Sequence, residues 1–122
     1  MPEPIYPHAR WERLVAEVFL HIKEFGEKKG AEYSGDTDRL LNFRRNGKAL
    51  DLPMEVIWAV YAAKHWDALI QYIQDIKNNK TRSRLENIEG RVDDLITYLI
   101  LFRAMLEERN GYVENKENGN AI

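Results

Sequence analysis

The sequence has no cysteine, so neither a disulfide nor a thiolate metal site can be built from it, and covalent catalysis through a thiol is excluded. It has little charge of either sign in excess: 18 Lys and Arg against 20 Asp and Glu leave a net charge of −2. That balance gives no general attraction to a nucleic-acid backbone or to an anionic membrane surface. No apolar run approaches the roughly 18 residues that would suggest a membrane span. The opening Met-Pro-Glu-Pro-Ile-Tyr-Pro lacks the basic and apolar regions of a secretory signal. These absences lead to the expectation of a soluble, cytoplasmic protein with no membrane contact and no general nucleic-acid binding. A Walker-type loop, a G-x-G-x-x-G fingerprint and a serine elbow are also missing. Proline is scarce after Pro7, with Pro53 alone beyond it, and no segment alternates in the manner of a strand.

What is present is helical periodicity. At 122 residues and 44% hydrophobic content, the chain suffices for one core and falls short of two. Residues 1–7 read as an extended arm, 8–110 as a single all-α domain and 111–122 as a flexible tail rich in Asn, Glu and Lys. Trp11, Leu14, Val15, Val18, Ile22 and Phe25 form one apolar stripe, predicting a first helix that stops near Lys29-Gly30 at a glycine cap. A short helix is expected from Asp38 to Arg45, closed by Asn46-Gly47. A third should open near Asp51-Leu-Pro and run to Lys77. Its wheel is apolar through most of its circumference, which places it centrally or in a subunit interface, and a homo-oligomer is expected on that ground. Ser83 and Glu86 form an S-x-x-E capping box for a last helix ending near Arg109. Ile88, Val92, Leu95, Leu99, Phe102 and Leu106 make its expected core-facing stripe. The expected fold is all-α, an antiparallel helical bundle of three long helices and one short helix.

The residues that point to chemistry are acidic. Glu86, Glu89 and Asp93 recur on one face of the last helix, at the edge of its apolar stripe. Magnesium takes hard oxygen ligands and commonly needs one or two carboxylates, leaving its other positions to water and phosphate. The three are therefore candidate Mg²⁺ ligands; the plainer reading makes Glu86 a cap and the other two a solvated stripe. The connector ahead carries Lys77, Lys80, Arg82 and Arg84, and Lys80, Arg82 and Arg84 are candidate phosphate-binding residues beside such a metal. His65 lies among aromatic residues and reads as a core histidine or, alternatively, a base or ligand. His21, one turn after Glu17, is a weak metal pair. If the chain is an enzyme, metal-assisted hydrolysis with water as nucleophile is the reaction its side chains best allow. No residue is assigned a catalytic role.

Two stretches, Lys28-Lys-Gly-Ala-Glu-Tyr-Ser-Gly-Asp-Thr-Asp-Arg-Leu-Leu-Asn-Phe and Ile88-Glu-Gly-Arg-Val-Asp-Asp-Leu-Ile-Thr-Tyr-Leu, with Lys64-His-Trp-Asp between them, resemble small phage proteins of the nucleotide modification associated domain type. That family is similar in helical pattern to the all-α nucleotide pyrophosphohydrolases of the MazG and dUTPase kind. Those enzymes bind magnesium through an E-x-x-E pair and a later E-x-x-D pair, and split a nucleoside triphosphate to monophosphate and pyrophosphate. The resemblance carries the later pair onto Glu89 and Asp93, at a spacing of four and not three. Glu24 and Glu27 have the spacing of the earlier pair but lie at the end of the first helix; the third helix offers Glu55 and Asp67. The resemblance also implies a second pocket wall from Tyr33 to Phe43, with Asp38 or Asn42 as a polar contact and His65 nearby.

Together these lead to the expectation of a phage-type nucleotide-binding protein, either a Mg²⁺-dependent nucleoside triphosphate pyrophosphohydrolase or an inactive relative of one. The alternative is a non-catalytic phage protein that inhibits a host defence protein or sequesters a signalling nucleotide. In either case the setting is the host-cell cytoplasm.

Overall fold

The structure, a computed structural model, describes residues 3–34 and 37–112, the side chains of 29–31, 33 and 34 excepted. Four helices follow one another: α1 (His8–Ser34), α2 (Leu41–Leu50), α3 (Met54–Lys77) and α4 (Ile88–Arg109). The described residues contain no strand, and the helices form the expected antiparallel bundle. None of the helices is long and apolar enough to cross a membrane.

The core sits where α2, α3 and α4 meet. Leu40, Phe43, Ile57 and Met105 are buried together, with Trp58, Tyr98, Leu101 and Phe102 packed around them. Trp58 is fixed at both ends: its indole Nε1 donates to the Tyr98 carbonyl at 2.6 Å, and its ring lies 4.7 Å from that of Phe102. Satisfying the indole N–H is what lets so large a side chain sit against the core.

Several boundaries differ from the sequence expectation. Helix α2 does not stop at Asn46-Gly47; it continues to Leu50 and is capped by Asp51 in the left-handed region at φ 55°, a conformation aspartate tolerates. Gly47 is buried within α2, where a Cβ would stand 2.7 Å from the Leu52 carbonyl oxygen. The glycine is there for close approach of the chain and not as a stop. Helix α1 likewise passes Gly30 and ends at Ser34. The capping box at Ser83 is not used: α4 begins at Ile88, and Asn87 caps it by accepting from the Gly90 amide at 2.7 Å.

The expected core stripe of α4 is also turned. Tyr98, Leu101 and Met105 face the core together with Phe102 of the expected stripe, while Val92, Leu99 and Leu106 are exposed. Of the α1 stripe, Ile22 is buried and Trp11 and Phe25 are exposed. Residues 3–7 of the expected arm are non-helical, and the tail from 113 lies outside the described residues.

Candidate functional site

Two adjacent carboxylates near the start of α4 organise the polar side chains of three helices. Consecutive helical residues are about 100° apart on the wheel, so Asp93 and Asp94 turn to different neighbours. Asp93 Oδ2 meets His21 Nε2 of α1 at 3.6 Å. Asp94 Oδ2 meets His65 Nδ1 of α3 at 3.8 Å. The His21 ring stacks on Phe25 with centroids 4.5 Å apart.

His65 is buried, and its ring lies 5.2 Å from that of Tyr98. Arg91 Nη1 stands 3.4 Å from His65 Nδ1. Burial pushes the imidazole below the ordinary histidine range, aided by the charges of Arg91 and Lys64 and opposed by Asp94 and Glu86. A neutral ring accepts from Arg91 at Nδ1 and keeps its proton on Nε2. Arg91 in turn is held by Glu86, whose Oε2 is 3.1 Å from its Nε. A string Glu86–Arg91–His65–Asp94 therefore runs along the start of α4, with Asp93–His21 beside it.

The residues singled out in the sequence are distributed over this frame unevenly. Glu86 precedes α4 and is engaged by Arg91, Glu89 is exposed in the first turn, and Asp93 turns toward α1. Among the described residues no group of three or more His, Asp and Glu is arranged to hold a metal ion. The phosphate candidates are drawn elsewhere. Arg82 Nε and Arg84 Nη2 both donate to Asp75 Oδ2, at 2.9 and 2.6 Å, and the Lys80 amide donates to the Asp75 carbonyl at 2.8 Å. The Arg82 hydrogen bond holds the Asp75 carboxyl below its usual range, while the Arg84 guanidinium lies 5.1 Å over the Tyr72 ring. These arginines fasten the connector to the end of α3.

Asp38 accepts from the Leu40 amide and from Arg44 Nε, at 2.9 and 2.7 Å, and Arg44 also pairs with Glu108. The Arg44 guanidinium keeps both carboxyls below the usual range. Asn42 accepts from Asn46 Nδ2 through its carbonyl and its side chain. The Tyr33 side chain lies outside the described residues. Asp38 and Asn42 thus belong to the α2 turn system, whereas His65 joins the carboxylate cluster. A shallow pocket of about 700 Å³ lies at the far end of the bundle, walled in part by Arg44, Arg45, Lys48, Glu55 and Arg109. Arg44 is engaged by Asp38 and Glu108, and Arg109 by Glu55, which leaves Arg45 and Lys48 as the cations of that pocket without an ion pair among the described residues.

Asp94, Arg91 as a site residue, and the place of His21 beside Asp93 are the parts of the cluster that sequence reasoning missed. Spacing alone pairs His21 with Glu17, but Glu17 takes Arg10 at 3.1 Å. The available signal is the Asp93-Asp94 doublet, since one of two adjacent acids must face a different neighbour.

Comparison with family models, curated proteins and solved structures finds no match to the chain. Function is therefore read from the residues themselves.

Proposed function

We propose that this chain is a nucleotide-binding protein that holds its ligand against the first two turns of α4 and leaves it chemically unchanged. The observation carrying this reading is the mixed set at that place: the Arg91 guanidinium, a buried imidazole and the carboxylates Asp93 and Asp94, braced by α1 and α3. A guanidinium suits a phosphate oxygen, and Arg91 would exchange its exposed partner Glu86 for one. Carboxylates accept from sugar hydroxyls or a base amino group, and the half-buried Tyr98 ring offers an aromatic edge for a base. A protein of this kind acts as a sink for a signalling nucleotide, which agrees with the resemblance to small phage proteins.

Binding is favoured over hydrolysis by how the acids are engaged. Glu86 is committed to Arg91 and Asp93 faces His21, so the three proposed magnesium ligands do not stand as one set. Of the cations that would neutralise a leaving pyrophosphate, Arg82 and Arg84 are engaged by Asp75.

Calorimetry with a panel of mono-, di-, tri- and cyclic nucleotides, with Mg²⁺ and with chelator, tests the reading when run beside a pyrophosphate-release assay. The expected result is binding that survives chelator, falls at least tenfold in Arg91→Ala and yields no pyrophosphate. Turnover that disappears in Asp93→Asn would establish the pyrophosphohydrolase instead. If no nucleotide binds and a host protein is captured in its place, the chain is an interaction module.

A further inference from the structure

Two helices carry apolar residues in strict alternation of three and four on surfaces that the chain leaves largely open. On α3 these are Val56, Ala59, Ala63, Trp66 and Ile73, with Ile70 half-buried among them; on α4 they are Val92, Leu99 and Leu106, with Ile88, Leu95 and Phe102 half-buried along one edge. Each set occupies a sector of roughly 100° on its wheel. Trp66 is 55% exposed, Ile73 57% and Leu99 53%. The core-facing residues of the same helices, Ile57 and His65 on α3 and Tyr98 and Met105 on α4, lie on other sectors. Helix α3 meets α2 through Ile57 and Tyr61, and α4 meets α1 through Asp93. Both open stripes therefore lie on the side of the antiparallel α3/α4 pair turned away from α1 and α2.

Alternation of three and four is the spacing of helix-on-helix seams, in which side chains of one helix enter holes of another. It is not needed for contact with lipid, which calls for a basic polar face that this chain's mixed charge does not supply. The amount of surface agrees. The chain exposes 10237 Å², whereas a folded chain of 14.4 kDa is expected to expose roughly 6,800 Å². Setting aside the first seven and last ten residues at an upper bound of about 170 Å² each leaves roughly 7,300 Å² for the rest, against roughly 6,100 Å² expected for that mass, a surplus of roughly 1,000 Å². A folded monomer keeps its largest apolar patch to about 300–600 Å², and one partner in a stable interface contributes about 800 Å².

The face also suits itself. It offers small residues, Ala59 and Ala63, beside large ones, Trp66 and Leu99, so that a two-fold axis can set bulk against space. Asp67 and Arg103 edge the two stripes with opposite charge, and neither forms an ion pair among the described residues.

We infer that the outer face of α3 and α4 is the docking surface for a second copy of this chain, the four helices closing into an intermolecular bundle with Trp66 and Leu99 at its centre. This inference does not rest on the nucleotide reading. Phe19, exposed on α1 and outside both stripes, serves as the control.

Sedimentation equilibrium of the full chain is expected to give twice the 14.4 kDa mass, or an even multiple of it. Leu99→Glu should weaken self-association at least a hundredfold, whereas Phe19→Glu leaves it unchanged. Because the chain has no cysteine, Ala63→Cys supplies a single thiol and reports the same face without a buried charge. Maleimide labelling of that variant, with folding verified by circular dichroism, should run at least tenfold slower than labelling of Ala16→Cys on α1. A monomer at high micromolar concentration, an assembly indifferent to Leu99→Glu with equal labelling rates, or a monomer that associates only with lipid vesicles would each overturn the inference.

Discussion

His65 of α3 and Asp94 of α4 face each other with Nδ1 and Oδ2 3.8 Å apart, and the imidazole is only 8% exposed. Arg91 shares the same ring nitrogen at 3.4 Å. The ring can therefore accept from Arg91 when neutral or donate toward Asp94 when protonated, and burial tilts the balance toward the neutral form.

A pH dependence follows. The folded-state pKa of His65 lies below the unfolded value of about 6.5. As pH falls, the unfolded chain takes up this proton first, so the stabilisation is complete above about pH 6.5 and is lost as pH falls toward the folded pKa. Thermal unfolding should show Tm declining as pH falls below about 6.5. His65→Gln should flatten that decline, and an unchanged slope in the variant would refute the assignment.

Gly47→Ala should destabilise the fold even though alanine is the better helix former. The added methyl meets the Leu52 carbonyl oxygen at 2.7 Å, and overpacking of this kind costs about 1–3 kcal/mol against a propensity gain of about 1 kcal/mol. Urea denaturation should show a net loss; a gain in stability would mean that α2 and the start of α3 are less closely apposed than this contact requires.

Met105 is 1% exposed at the centre of the α2–α3–α4 core. Truncation to alanine should cost about 2–5 kcal/mol. Leu20→Ala, on the exposed side of α1, should stay within about 0.5 kcal/mol. Equal effects from the two substitutions would contradict the placement of the core.

The connector between α3 and α4 is fastened through Asp75, which receives Arg82 and Arg84. In Asp75→Asn the amides of residues 79–87 should exchange with solvent several-fold faster, while those of the middle of α4 keep their protection. Hydrogen exchange read by mass spectrometry checks this, and unchanged exchange in the connector would show that the two arginines do not hold it.

Periodicity made four helices and their order legible, because a residue's neighbours along a helix are set by local geometry alone. It also showed that α3 is apolar around most of its girth. It placed His65 among aromatic residues, where the structure has it, buried against Tyr98. The same reasoning put the cap of α4 at Ser83, because S-x-x-E is a local signal; Asn87 prevailed once Arg82 and Arg84 had drawn the connector back to Asp75.

By itself, then, the sequence determined which residues share a stripe and where turns are permitted, since both follow from bond geometry within a few residues. Which stripe of α4 faces inward was decided by tertiary structure. Leu101 and Met105 are no more apolar than Val92, Leu99 and Leu106, and contact with α2 and α3 makes one set core and leaves the other outside. The pairing of Asp93 with His21 and of Asp94 with His65 was decided the same way: a helix fixes the angle between adjacent side chains, and the packing of α1 and α3 supplies what each one meets.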